Sequence, residues 1–183
     1  LVSTSRDHKQ TVLRVADTQT GDVRTVLEET VPTHFESITG WRVLWASNEV
    51  IWNSQRDNWS QLYLYDLTSG QLKNKITTGD GPVSDILKID PKSRTLWYLA
   101  QGRQAGQDPY LTHAYRIGLA GGRVTSLTPD EGEHTVQISP DGKWIVDTWS
   151  DGDTPPVTAL RDNSGRVVMP LETADISKLL ATG

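Results

Sequence analysis

The chain has 183 residues, 36% hydrophobic and 22% charged, with 15 Gly and 9 Pro, a profile that fits a folded protein with a real core. Eighteen basic against 23 acidic residues leave a net charge of −5, which argues against the basic face of a nucleic-acid binder, and no apolar run approaches the ~18 residues of a membrane span. Cysteine is absent, so disulfides, thiolate zinc sites and a cysteine nucleophile are excluded.

Seven Trp against one Phe and one Met suits strands better than a helical core. The chain opens Leu1-Val2-Ser3 without an initiator Met and reads as a piece of something longer. Val2 to Arg6 reads as a strand, followed by Leu13 to Asp17, a turn ending in Gly21, and a returning strand from Val23 to Leu27. The same hairpin recurs at Leu62 to Asp66 before Gly70, at Ala114 to Gly118 before Gly122, and at Thr158 to Asp162 before Gly165. Its turn glycines are 49, 52 and 43 residues apart. The returning strands are Leu72 to Ile76, Val124 to Leu127 and Val167 to Leu171. Asp or Asn followed by Gly is the turn chemistry that closes such hairpins. Upstream of each hairpin lies another apolar run: Val50 to Trp52, Leu96 to Leu99 and Trp144 to Val146. Before those, Gly40 to Ala46, Val83 to Ile89 and Thr135 to Ser139 complete units of four short strands. Ser5-Arg6-Asp7 and Gln55-Arg56-Asp57 repeat 50 residues apart, which gives Arg6 and Arg56 a structural role inside each unit.

Strands such as Leu62 to Tyr65 are apolar on both faces, whereas a half-exposed sheet would alternate with polar residues. Four-stranded sheets buried on both faces and repeated every ~48 residues predict an all-β propeller fragment of about four blades. An antiparallel sandwich is the rival, but its turn spacing alone would not generate the repeat. The blade units fall near 1–30, 31–79, 80–129 and 130–172, with the first beginning at its second strand. The segment 173–183 carries a short helix, with Thr173 as its cap and Ile176, Leu179 and Leu180 as its stripe. An incomplete first blade leaves sheet edges and an apolar face uncovered, and a homodimer would cover them.

Chemistry is sparse. There is no G-x-S-x-G elbow, H-E-x-x-H, P-loop or G-x-G-x-x-G. His8, His34, His113 and His134 are scattered and read as surface or turn residues. Asp130-Glu131-Gly132-Glu133 and Asp151-Gly152-Asp153 lack the ordered spacing of a calcium loop and read as solvated turns. Glu28-Glu29 could bind an amine, but ends an outer strand and reads as structural. The sequon Asn58-Trp59-Ser60 matters only in a protein secreted by a eukaryote. Trp41-Arg42 opens an innermost strand, where an Arg beside a large aromatic could hold a carbonyl or carboxylate; the alternative is packing for Trp41 and a surface ion pair for Arg42. The residues alone predict no catalytic group, metal or cofactor.

The blade strand Asn58-Trp59-Ser60-Gln61-Leu62-Tyr63-Leu64-Tyr65-Asp66 with Leu67-Thr68-Ser69-Gly70 resembles that of the dipeptidyl-peptidase IV family. So do Ser139-Pro140-Asp141-Gly142-Lys143-Trp144-Ile145-Val146 and the exit segment Leu171 to Leu180. The resemblance implies the second half of an eight-bladed propeller, ahead of an α/β-hydrolase domain that carries a Ser-Asp-His triad beyond Gly183. It implies a serine peptidase that removes N-terminal dipeptides of X-Pro or X-Ala type, with the propeller gating access and shaping the pocket. The family's amine-binding acidic motif would lie before Leu1, and its aromatic-Arg pair aligns with Trp41 and Arg42, with Trp in place of Phe. The partners implied are a peptide substrate, the hydrolase domain and the first propeller half. The lack of Cys points to a bacterial member, exported to the periplasm or cell envelope. A TolB-like scaffold that binds protein partners is the alternative, and a glycan-active or lactonase-type propeller a third reading, weakened by the few acids on the innermost strands.

Overall fold

The computed structural model describes residues 1–36 and 40–182, so the parts of the second predicted blade at 37–39 and of the exit segment at 183 lie outside the described residues. The chain divides into two compact units, Leu1–Thr78 and Gly79–Gly183. Each unit contains two antiparallel sheets whose strands follow one another in simple up-and-down order.

In the first unit, β1 (Val2–Thr4), β2 (Gln10–Ala16) and β3 (Val23–Thr30) form a three-stranded sheet, as expected of a blade entered at its second strand. Its neighbour is the four-stranded sheet of β4 (Arg42–Leu44), β5 (Glu49–Asp57), β6 (Trp59–Asp66) and β7 (Leu72–Lys75). Leu13, Val26 and Leu27 of the first sheet pack into one core with Val50, Trp52, Tyr63 and Tyr65 of the second. Burying a side chain of this size contributes about 1.5–3 kcal/mol, so the facing of two sheets supplies most of what either gains.

The second unit pairs β8 (Val83–Asp90), β9 (Thr95–Gln101), β10 (Thr112–Gly118) and β11 (Thr125–Ser126) with β12 (Glu133–Ile138), β13 (Trp144–Ser150), β14 (Val157–Asp162) and β15 (Val167–Thr173). Trp97, Ala114 and Leu127 meet Ile145, with Leu99, Val136 and Ile138 at the margin. A four-residue helix, α1 (Ser177–Leu180), follows.

Local geometry repeats with the sheets. His8 (φ 55°) and Asn58 (φ 74°), 50 residues apart, both take the left-handed conformation after an Asp, and each amide donates to the carbonyl three residues earlier. Asn48, Arg94 and Gly142 are left-handed at the equivalent tighter turns. The pairings β2–β3, β6–β7 and β14–β15 each carry a bulge, at Leu13/Arg14, Leu64/Tyr65 and Leu160/Arg161, which adds twist to the outer part of the sheet.

Four expectations need correction. The innermost strand of the second blade is only Arg42–Leu44, because Trp45–Ser47 wind into a 3-10 turn closed by left-handed Asn48; Trp45 is consequently exposed. Thr173 does not cap the helix. It is the last residue of β15, and the Asp175 carboxylate accepts from the Ser177 amide instead (2.9 Å). Leu179 and Leu180 are exposed. Apolar covering on both faces holds for β6 but fails in the last sheet, where β15 is exposed along its whole length together with Trp144 and Val146.

The repeating turn glycines differ in surroundings. A Cβ on Gly70 would lie 1.8 Å from the Val26 carbonyl oxygen of the preceding sheet, and one on Gly165 would lie 2.7 Å from that of Ser126. Gly21 has open space around it, although its φ of 80° is equally left-handed. Gly21→Ala should therefore cost only the conformational ~1–2 kcal/mol. Gly70→Ala must also push two sheets apart, and urea unfolding of the two variants should show it losing at least twice as much.

Candidate functional site

Trp41 and Arg42 enter β4, where alternation along an extended chain sends neighbouring side chains to opposite faces. Trp41 is half-buried against the core of the first unit. With Val43, Trp45, Leu1, Leu13 and Leu67 it lines an apolar cavity of about 240 Å³. Arg42 is also half-buried, and its guanidinium donates to the Trp41 carbonyl at 2.9 Å. The indole is thus part of an apolar wall, while the guanidinium is held by its stem and by a neutral acceptor.

Glu28 and Glu29 do not act as a pair. Glu28 is exposed and accepts from Gln10 (2.6 Å). Glu29 is buried, and it accepts from the Trp52 indole (2.8 Å), the Ser54 hydroxyl (2.5 Å) and Arg56 (3.2 Å), all on β5. This carboxylate ties the first sheet to the second. Arg56 also lies 4.6 Å over the Tyr63 ring, while Arg6 is exposed, so the 50-residue repeat preserves backbone geometry but only Arg56 has the stacking role. Tyr63 donates to Asp57, and burial followed by this bond pushes its phenol above the ordinary tyrosine range. The Lys75 ammonium, then the Tyr63 hydroxyl, hold the Asp57 carboxyl below the usual carboxylate range.

The second unit departs most from the expected picture. His113 and His134 are buried, not turn residues, and their rings lie 4.9 Å apart. His134 Nδ1 meets Asp147 Oδ1 at 2.8 Å, and its Nε2 meets the Asp130 carbonyl at 2.9 Å. Arg161 donates through Nε to the other Asp147 oxygen (2.8 Å), to the Gly165 carbonyl (3.1 Å) and to the Asp130 carboxylate, with its guanidinium 4.9 Å over Trp149. The period-two pattern did carry a signal: Asp147 has the parity of buried Ile145, so a charge falls on the interior face of β13. The two acidic loops converge as well. Asp108, Glu131, Glu133, Asp151 and Asp153 line a cleft of about 520 Å³, yet no set of three or more His, Cys, Asp or Glu among the described residues is arranged to hold a metal ion.

Four such sheets in sequence, with one short helix among the described residues, are a β-propeller fragment. Residues 1–156 match the family described as the dipeptidyl peptidase IV (DPP IV) N-terminal region. The chain belongs to this family. The crystal structure of Porphyromonas gingivalis dipeptidyl peptidase 4 superposes with a TM-score of 0.82 at 21% identity, over 98% of this chain and 25% of that one. That of a dipeptidyl aminopeptidase IV from Bacteroides ovatus gives 0.81 at 23%, over 96% and 27%. TolB from Acinetobacter baumannii gives 0.59 at 18%, over 95% and 41%. The chain thus spans about a quarter of the length of the two peptidases. No helix among the described residues is long and apolar enough to cross a membrane.

Removing the Glu29 carboxylate strands three donors at the sheet junction. Glu29→Ala should lower stability by about 1–3 kcal/mol and shift Trp52 fluorescence, whereas Glu28→Ala should stay within ~0.5 kcal/mol of the parent in the same denaturation series.

Proposed function

We propose that this chain is the non-catalytic propeller portion of a serine dipeptidyl peptidase, which removes N-terminal dipeptides and whose acyl chemistry resides in a hydrolase domain of the parent protein. The single observation that carries the reading is the family match across residues 1–156, on a chain whose sheets repeat as blades throughout. The sequence contains no G-x-S-x-G elbow, consistent with a part that shapes and gates a pocket while the reaction takes place elsewhere. The TolB-like scaffold is the second reading; the likeness to TolB is real, but its TM-score of 0.59 is well below 0.82.

Within this reading, Arg42 contributes to substrate binding, and Trp41 provides the apolar backing for the strand that presents it. The Arg42 guanidinium donates to the Trp41 carbonyl, and a charge-assisted bond from such a group to a peptide carbonyl or carboxylate is worth about 1.5–3 kcal/mol. The peptide substrate would arrive in the periplasm or cell envelope of a bacterium, a placement in keeping with the bacterial sources of the matched structures and the absence of Cys. A second copy would cover the sheet edges and apolar face of the incomplete first blade.

A dipeptidyl-arylamide assay tests the reading. The full-length parent should turn over the substrate and the 183-residue chain should not, and silence in both would favour the scaffold. In the active parent, Arg42→Ala should raise KM roughly tenfold with thermal stability intact. Parallel losses of activity and stability would assign Arg42 to structure alone.

A further inference from the structure

The buried imidazole pair of the second unit contributes nothing to the proposed pocket, and its hydrogen bonds dictate its protons. A backbone carbonyl can only accept, so His113 Nδ1, 2.6 Å from the Thr128 carbonyl, carries the hydrogen. Its Nε2 is then the bare nitrogen, and it is buried without a hydrogen-bond partner. His134 faces acceptors on both sides, the Asp147 carboxylate and the Asp130 carbonyl, which would take hydrogens from both of its nitrogens. Arg161 bridges the carboxylates of Asp147 and Asp130 behind it.

We propose that the His113–His134 pair is an acid-sensitive latch between the third and fourth blades, which holds while His113 is neutral and releases β10 from β12 when His113 takes up a proton. The added N–H would point into a buried space without an acceptor, against the His134 ring. The titratable and charged groups around His113 are His134 and Glu133 on β12, Asp147 on β13 with Arg161 of β14 behind it, and Asp130 in the connecting loop. Glu133 is engaged by the Thr112 amide (2.6 Å), and Asp147 by His134 and Arg161. Burial first, and then the neighbouring His134, hold the His113 imidazole below the ordinary histidine range; the Thr128 carbonyl, Glu133 and Asp147 pull the other way without overcoming them.

The sign follows. The unfolded chain binds the His113 proton near pH 6.5 and the folded chain only below that, so the stabilisation is full above pH 6.5 and is lost as the pH falls beneath it. The folding equilibrium constant should fall by up to tenfold per pH unit from this site. Histidine-selective 15N NMR of the full chain reads the latch directly, with His113→Asn assigning the resonance. Expected at neutral pH is an Nδ1–H tautomer with bare Nε2 at His113. Urea midpoints between pH 7.5 and 5 should then drop more steeply for the wild type than for His113→Asn, whose amide can still donate to Thr128, or for His113→Phe, which keeps an aromatic ring. An Nε2–H tautomer at His113, or parallel pH slopes in all three proteins, would overturn the proposal, and the NMR result stands even if a variant fails to fold.

Discussion

Sheets that are apolar on both faces cannot be stable alone, and this constraint governs the architecture. Leu62, Tyr63, Leu64 and Tyr65 are consecutive and all buried, so both sides of β6 require cover. Within the first unit one side is met by Leu13, Val26 and Leu27, and the junction is reinforced by a carboxylate reaching from β3 to three donors on β5. The outer hairpin must also approach closely enough that Gly70 has no room for a side chain. In the second unit Gly165 meets Leu127 in the same manner. Stability in such an array is a property of junctions between neighbours more than of individual sheets.

The hairpins were legible because their turn chemistry is local. Gly21, Gly70 and Gly165, each three or four residues after an Asp, mark reversals that depend on nothing distant. The left-handed turns at Asn48 and Arg94 were not, since neither residue announces that conformation as glycine does. Bulges escaped for a related reason: one extra residue leaves composition unchanged and shows only in the pairing register. The covering of each face was inferred from apolarity alone, which cannot separate a face that meets a neighbour from one that does not; β15 is the case in point.

The site was legible to a different degree. Trp41-Arg42 was singled out because an aromatic beside a cation stands out, and the chain places the pair where it enters β4. His113 and His134 lie 21 residues apart and meet through the packing of one sheet on the next, so no spacing rule could pair them. Much of the buried polar inventory, Glu29 and Asp147 foremost, is consumed in joining elements.

The ion network of the last sheet has a bearing on how its strands find their alignment. Asp147 pairs across β13–β14 with Ala159, and Arg161 with Ile145, which brings the two charges onto one face within bonding distance. Sliding β14 by one residue would turn Arg161 to the opposite face and leave Asp147 among apolar side chains without its counter-ion. A purely aliphatic face of Ile, Val and Ala would tolerate such a slip with modest loss. The charged quartet instead makes every misaligned pairing expensive, so it selects one threading of an otherwise permissive sheet.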